Sequence, residues 1–389
     1  MSLNQRFYPL EFVERQTIIL LGPRKTGKTT FLKQRFPKSL YIDLLQSEIA
    51  RKYSTHPERL RQELLLIKED FKAHPIIIDE VQIVPALLYE IHWLIENTNL
   101  YFILCGSSTR KLRASGVNLL GGRAWTYMFF PFVYPELPTF DSEHILERGT
   151  MPAHYLSATS YKRHLEAYIH DYLTLEIQSE GLIRNLPAFQ HFLEVAAFST
   201  GELVNYANIA RESGVNEKTI KGYFDILEDS LVGYRLSPFS QKAKRDIIFK
   251  APKFYFFDVG LAKALKQNTP SSQLMENKGQ LLESYIFQEL NAYRLLQEEK
   301  QQLHFWRTTT GLEVDFILNN NVAIEVKLSA NIHTSHLKGL VAFAEEHNPK
   351  ELIVVCNEET PRLISYKGFN IKVFNVQSFL ERLWNHEFI

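Results

Sequence analysis

The chain has 389 residues, more than one ordinary core holds, and its 45% hydrophobic and 23% charged content marks a folded chain and excludes a disordered one. Lysine plus arginine and aspartate plus glutamate balance at 44 each, so no overall field draws the chain to nucleic acid, and any such contact has to come from a local patch. The two cysteines, Cys105 and Cys356, each end an apolar run and read as buried thiols of a reducing compartment.

In chain order, the first apolar run is Thr17–Leu21, too short for a signal peptide. No stretch approaches the roughly 20 apolar residues of a membrane span, so a cytoplasmic chain with no membrane partner is expected. Strands are predicted at Thr17–Leu21, Leu40–Leu44, Ile76–Ile78 and Tyr101–Cys105, with helices at about Lys28–Phe36, Pro57–Phe71 and Pro85–Asn97. Near-continuous apolar strands alternating with amphipathic helices predict a parallel sheet covered on both faces. The aromatic segment Trp125 to Pro138 reads as a last strand and an exit loop. Helical spacing resumes from Ser160 to Ser199. Residues 203–257 then read as helix (Asn205–Ser213), turn (Gly214-Val215-Asn216), helix (Glu217–Asp229) and a hairpin, Leu231–Leu236 with Lys253–Phe257: a winged-helix pattern. The last third opens with a helix, Gly279–Leu295, followed by strands at Leu303–Trp306, Val314–Leu318, Ala323–Val326, Leu352–Val355 and Ile371–Phe374.

Gly22-Pro23-Arg24-Lys25-Thr26-Gly27-Lys28-Thr29, with Thr30 behind it, fits the Walker A pattern G-x-x-x-x-G-K-[ST] between a strand and a helix, the context the motif needs. Its glycines let the backbone curl until successive N–H groups face phosphate oxygens, and the helix start adds partial positive charge. Lys28 is expected on the β- and γ-phosphates and the Thr29 hydroxyl on Mg²⁺. Ile76-Ile77-Ile78-Asp79-Glu80 is a buried strand ending in two acids, a Walker B pattern in which Asp79 serves the metal and Glu80 is the general base. Ser107 or Ser108, after the fourth strand, either orients the attacking water or caps a helix. Arg123 is a candidate γ-phosphate contact, in cis or from a neighbouring subunit; the second case implies a homo-oligomer. The cofactors expected are ATP and Mg²⁺.

These motifs, in this order, with Tyr41-Ile42-Asp43-Leu44, Ile78-Asp79-Glu80-Val81-Gln82, Gly106-Ser107-Ser108 and Gly121-Gly122-Arg123-Ala124, resemble the prokaryotic AAA+ ATPases that carry a C-terminal nuclease-like domain of uncharacterised function. The resemblance continues through Lys253-Phe254-Tyr255-Phe256-Phe257-Asp258-Val259-Gly260 and Glu313-Val314-Asp315-Phe316. It implies an α/β chain of three parts: a P-loop AAA+ parallel sheet (1–137), a central helical and winged-helix module (138–265) and a restriction-endonuclease-like α/β domain (266–389).

In the last part, Asp315 precedes Glu325-Val326-Lys327 across the turn-forming Asn319-Asn320-Asn321, like the D…(D/E)-x-K core of restriction-type nucleases. Positions i and i+2 of a strand share a face, so Glu325 and Lys327 project together, with Asp315 and the helical Glu283 as further acids for a Mg²⁺. The same alternation is what any half-exposed strand shows. The basic connector Lys242, Lys244, Arg245, Lys250 and Lys253 is the expected DNA contact, against a purely structural hairpin. The reading is an ATPase coupled to conformational change on DNA, with a metal-dependent nuclease site as a further expectation. The alternative is a nucleotide-gated protein-binding or signalling module with a degenerate nuclease-like domain.

Overall fold

The structure is a computed structural model that describes residues 6, 16–67, 69, 73–107, 120–176, 183, 185–240, 251–266, 271–297 and 301–388. The chain is α/β and divides into two compact units, one of Arg6–Pro131 with Asp229–Leu231, the other of Phe132–Glu228 and Val232–Ile389.

The first unit runs β1 (Thr17–Leu21), α1 (Lys28–Arg35), β2 (Tyr41–Asp43), α2 (Ser47–Thr55), α3 (Glu58–Ile67), β3 (Ile76–Asp79), α4 (Leu87–Asn97), β4 (Phe102–Gly106) and β5 (Ala124–Met128). Its five strands are all parallel, in the order β2-β3-β4-β1-β5. Alternate strand residues go to opposite faces. Ile18, Leu20, Ile77 and Ile103 pack with Phe31 and Leu32 of α1. Ile19, Leu21, Ile76, Ile78, Phe102 and Leu104 pack against Leu60 and Leu64 of α3 and Leu87, Leu88, Ile91 and Leu94 of α4. Burial on both faces is why these strands read as unbroken apolar runs.

The second unit begins with α5 (Ser142–Arg148), α6 (Pro152–Tyr155), α7 (Tyr161–Ala167), α8 (Leu186–Phe198), α9 (Tyr206–Ser213) and α10 (Glu217–Asp229). Asn205 caps α9 by accepting from the Asn208 N–H, Gly214 ends it in the left-handed conformation, and Asn216 accepts from the Thr219 N–H at the start of α10. The antiparallel pair β6 (Gly233–Leu236) and β7 (Lys253–Phe256) follows. Next come α11 (Val259–Leu265), α12 (Ser271–Leu296), β8 (Leu303–Arg307), β9 (Glu313–Leu318), β10 (Val322–Val326), α13 (Lys338–His347), β11 (Glu351–Cys356), β12 (Arg362–Tyr366), β13 (Phe369–Asn375) and α14 (Val376–Trp384). The sheet is mixed, in the order β12-β13-β11-β10-β9-β8, with β10/β11 and β11/β13 parallel. Asn319 and Asn320 both take positive φ in the β9–β10 turn, which asparagine tolerates. The edge strand β12, largely exposed, was not expected from the sequence. The second unit takes in both the helical segment and the C-terminal sheet, between which the sequence reading set a domain boundary at 265/266.

Candidate functional site

The loop between β1 and α1 is bent as a phosphate cradle requires. Lys25 and Gly27 have φ of 62° and 95°, and the Thr26 hydroxyl donates to the Pro23 carbonyl at 2.8 Å. Gly22 lies so close to the end of β5 that a Cβ there would stand 2.4 Å from the Phe129 carbonyl oxygen. Arg6 braces the same corner, donating to the carbonyls of Thr26 at 2.8 Å and Phe130 at 2.6 Å. Nothing in the sequence pattern singled out Arg6. The ammonium of Lys28 is buried and donates to the carbonyls of Gly22 (2.7 Å) and Pro23 (2.9 Å). Burial pulls its pKa below the usual lysine range, while Glu80, Cys105 and Asp79 oppose the fall.

Because β3 and β1 are parallel, with only β4 between them, Asp79 and Glu80 emerge at the same carboxyl edge as the loop. Asp79 Oδ2 accepts from Thr29 Oγ1 at 2.8 Å and also from the Tyr41 hydroxyl, whose own pKa burial and Asp79 push up. Glu80 has φ of 56°, a left-handed conformation that costs a non-glycine residue of order 1–3 kcal/mol and is commonest at functional sites. That turn brings the second acid to the same edge. Glu80 Oε2 accepts from Gln82 Nε2 and from Ser107 Oγ, the latter at 3.2 Å. Asp79, Glu80 and Ser107 are all buried. A hydroxyl and a carboxylate 2.8 Å apart at the foot of the cradle are the hard oxygen donors that Mg²⁺ takes, so Thr29 and Asp79 fit that ion. Pro23, Arg24 and Thr30 lie along the same loop and first helical turn. Tyr41 and Gln82 belong to the site although neither was given a role from the sequence.

Ser108 lies outside the described residues. Arg123 is not brought to this group. β5 runs parallel to β1 with Thr17 opposite Ala124, so Arg123 sits at the amino end of the sheet, opposite the phosphate edge. There it pairs with Glu96 of α4, and its carbonyl accepts from Gln16 at 2.6 Å. A contact with a phosphate in cis is therefore corrected; five strand residues at about 3.3 Å each separate the two edges.

In the second unit, the β9–β10 register pairs Phe316 with Ile324, and its next step sets Asp315 beside Glu325. Asp315 Oδ2 accepts from the Val326 N–H at 2.7 Å, and Glu325 pairs with Lys327 at 2.6 Å. Glu283 on α12 also reaches this region, accepting from the Tyr255 hydroxyl at 2.6 Å. The cation among these acids is a lysine. Lys253 Nζ lies 2.6 Å from Glu313, 3.0 Å from Glu283 and 3.8 Å from Asp315, and the residue is only 2% exposed. Its expected role in the basic connector is overturned by that burial. Burial disfavours its charge, but Glu283, Tyr255, Asp315 and Glu313 outweigh that and hold its pKa well above the usual range. Burial, with Glu283 adding to it, raises Asp315 to about 6, and burial with Asp315 raises Glu325 well above the carboxylate range. Among the described residues no group of three or more His, Cys, Asp or Glu is arranged to hold a metal ion. Lys242, Lys244, Arg245 and Lys250 lie outside the described residues.

Residues 14–137 match the family described as an AAA domain. This match to an AAA domain falls almost wholly on the first unit. Residues 139–272 and 278–378 match two families described as domains of unknown function, DUF8612 and DUF4143. Uncharacterised proteins of Mycobacterium tuberculosis and Mycobacterium bovis are each 25% identical over 305 residues, a match covering 77% of this chain. The chain spans 66% of the length of these curated relatives. Among solved structures, the Aeropyrum pernix ORC1 protein in complex with DNA is 12% identical, with 67% of this chain and 88% of that one covered at a TM-score of 0.28. A signal-transduction ATPase with a tetratricopeptide repeat sensor from Pyrococcus horikoshii is 11% identical, with 72% and 43% covered at 0.22. At these TM-scores neither likeness bears on function. Among the described residues no helix is long and apolar enough to cross a membrane.

Proposed function

We propose that this chain binds ATP with Mg²⁺ and hydrolyses it, and that turnover drives a conformational change whose target is DNA. One observation carries the ATPase reading: the exposed Thr29 hydroxyl on the buried Asp79 carboxylate, and a buried Glu80–Ser107 pair, stand at the mouth of the loop Gly22–Thr29. The loop N–H groups and Lys28 hold the β- and γ-phosphates, Lys28 exchanging its two carbonyl partners for phosphate oxygens. Thr29 and Asp79 hold Mg²⁺, which when bound offsets the negative charge of the phosphates. Glu80 accepts the proton of the attacking water while Ser107 and Gln82 fix its carboxylate.

The pair α9 and α10 followed by the β6–β7 hairpin supports a winged-helix reading, and the basic connector inside that hairpin supports contact with DNA phosphates. The second reading is a nucleotide-gated protein-binding or signalling module with a degenerate nuclease-like domain. It is favoured by the Lys253 ammonium among the acids of the second unit. Phosphate release with Mg²⁺, measured with and without duplex DNA, tests both. Turnover that is stimulated by DNA and lost in Lys28→Ala supports the first reading. Turnover indifferent to DNA, with no salt-sensitive DNA retention, moves the chain to the second. No turnover under any of these conditions overturns the ATPase assignment.

A further inference from the structure

Glu283, Asp315 and Glu325, which the sequence pattern offers to a metal, and their neighbour Glu313 are already engaged. Glu313 Oε1 meets Lys253 at 2.6 Å and its Oε2 meets Arg307 at 3.0 Å. Glu283 Oε1 takes both Lys253, at 3.0 Å, and the Tyr255 hydroxyl, at 2.6 Å. Asp315 gives Oδ2 to the Val326 N–H at 2.7 Å, with Oδ1 3.8 Å from Lys253, and Glu325 gives Oε1 to Lys327 at 2.6 Å. Of these oxygens, Glu325 Oε2 is buried with no hydrogen-bond partner. Three cations, Lys253, Lys327 and Arg307, thus face four acids, Glu283, Glu313, Asp315 and Glu325.

We propose that this constellation is built around a lysine and not a metal: Lys253 Nζ takes the place of the shared cation, so that the site is closed to Mg²⁺ and Mn²⁺ and instead locks the β6–β7 hairpin onto α12 and β9. The geometry leaves no room for both cations. A divalent ion needs several oxygens at about 2.0–2.6 Å. Here an ammonium already sits within 3.0 Å of the oxygens of Glu283 and Glu313, and like charges at such separations repel strongly where water is excluded. Nor is Lys253 a loose arm that a metal could push aside. Its strand pairs with β6 from Gly233↔Phe256 to Leu236↔Lys253. On the other side the Gly201 and Val204 N–H groups donate to the carbonyls of Phe254 and Pro252, both at 2.8 Å. Swinging the ammonium away from the acids would leave a charge without counter-ions on a residue only 2% exposed. This deepens the second reading above, naming what the acids do in place of metal chemistry.

The test is Mn²⁺ binding to the full chain, read as free Mn²⁺ by electron paramagnetic resonance without nucleotide, in an Asp79→Asn background that removes the carboxylate assigned to Mg²⁺ in the ATP site. A failure here therefore leaves the ATPase reading standing. With Lys253 intact, no Mn²⁺ binding that depends on Asp315 is expected. Lys253→Ala should create a site for one Mn²⁺, and adding Asp315→Asn should weaken it at least about 10- to 100-fold, since even the loss of a group behind a ligand costs that much. If Lys253→Ala does not fold, thermal unfolding of the lysine-containing chain decides. Glu283→Gln should lower its Tm, and neither Mn²⁺ nor EDTA should shift the Tm of either protein. A Mn²⁺ ion held with Lys253 present and lost with Asp315→Asn, or a Tm raised by Mn²⁺ only while Asp315 is intact, would overturn the proposal.

Discussion

Glu80→Gln removes one charge from the ATP site and almost nothing of its shape. Gln82 Nε2 and Ser107 Oγ both donate to the same atom, Oε2. An amide oxygen can keep both bonds and leave its NH₂ where Oε1 now stands. Each bond falls from the charged class, about 1.5–3 kcal/mol, to the neutral class, about 0.5–1.5 kcal/mol. The variant is in turn spared the desolvation of a buried carboxylate, so folding and ATP affinity should change little. Turnover loses its general base, worth about 10²–10⁴-fold, or roughly 3–5 kcal/mol of barrier at 1.36 kcal/mol per tenfold. Single-turnover phosphate release with Mg²⁺ and ATP, alongside affinity for a fluorescent ATP analogue, separates the two effects. Affinity within a few-fold of the parent and turnover reduced by at least about 100-fold is the expected result. Turnover within about tenfold of the parent would refute Glu80 as the base.

Arg123→Ala should leave ATP affinity unchanged, because Arg123 stands at the sheet edge opposite the loop and pairs with Glu96. If it serves a neighbouring subunit, turnover should fall about 10³-fold or more, and mixing with Glu80→Gln should restore part of it. Unchanged turnover, with specific activity independent of protein concentration, would make it structural. In the second unit, burial raises Glu289 from 4.5 to about 7, against the hydrogen bonds that the Tyr134 N–H and Trp384 Nε1 donate to it. Above pH 4.5 the unfolded chain gives up that proton while the folded chain keeps it, so this group costs stability as pH rises to about 7, by roughly 3 kcal/mol at 1.36 kcal/mol per unit. Glu289→Gln should remove that slope, its Tm gaining on the parent across the same range; a constant Tm difference would refute it.

What the sequence disclosed was what lies close together in it. The Walker A loop is one continuous segment between a strand and a helix. The acids Asp79 and Glu80 end one apolar run, and Asp315 meets Glu325 across a short asparagine turn. Partners set by distant register stayed hidden. Whether Arg123 faces the phosphate edge depends on β5 running parallel to β1, and residues 121–124 carry no mark of strand direction. Lys253 read as a phosphate contact because the basic residues before it are close in sequence, whereas its real partners, Glu283, Glu313 and Asp315, are 30 to 62 positions away. Tyr41 and Gln82 were quoted only as parts of a pattern, since nothing in the sequence says that their polar ends meet Asp79 and Glu80.

Strand β7 has a consequence for how the chain can be taken apart. Phe254 and Phe256 belong to the aromatic core of the helical segment, with the Phe254 ring 4.8 Å from that of Phe224. Tyr255, between them, stacks at 4.1 Å on Phe287 of α12, and Lys253 points to the acids. One four-residue strand is thus the wall of two rooms. A cut near residue 265, where the sequence reading sets a boundary, would leave one room without its wall. The fragment 266–389 would inherit Glu283, Glu313 and Asp315 with no counter-ion from Lys253 and an uncovered aromatic face on α12. Phe132–Glu228 and Val232–Ile389 belong to one unit, and exchange of its halves between relatives should carry both faces of β7 together.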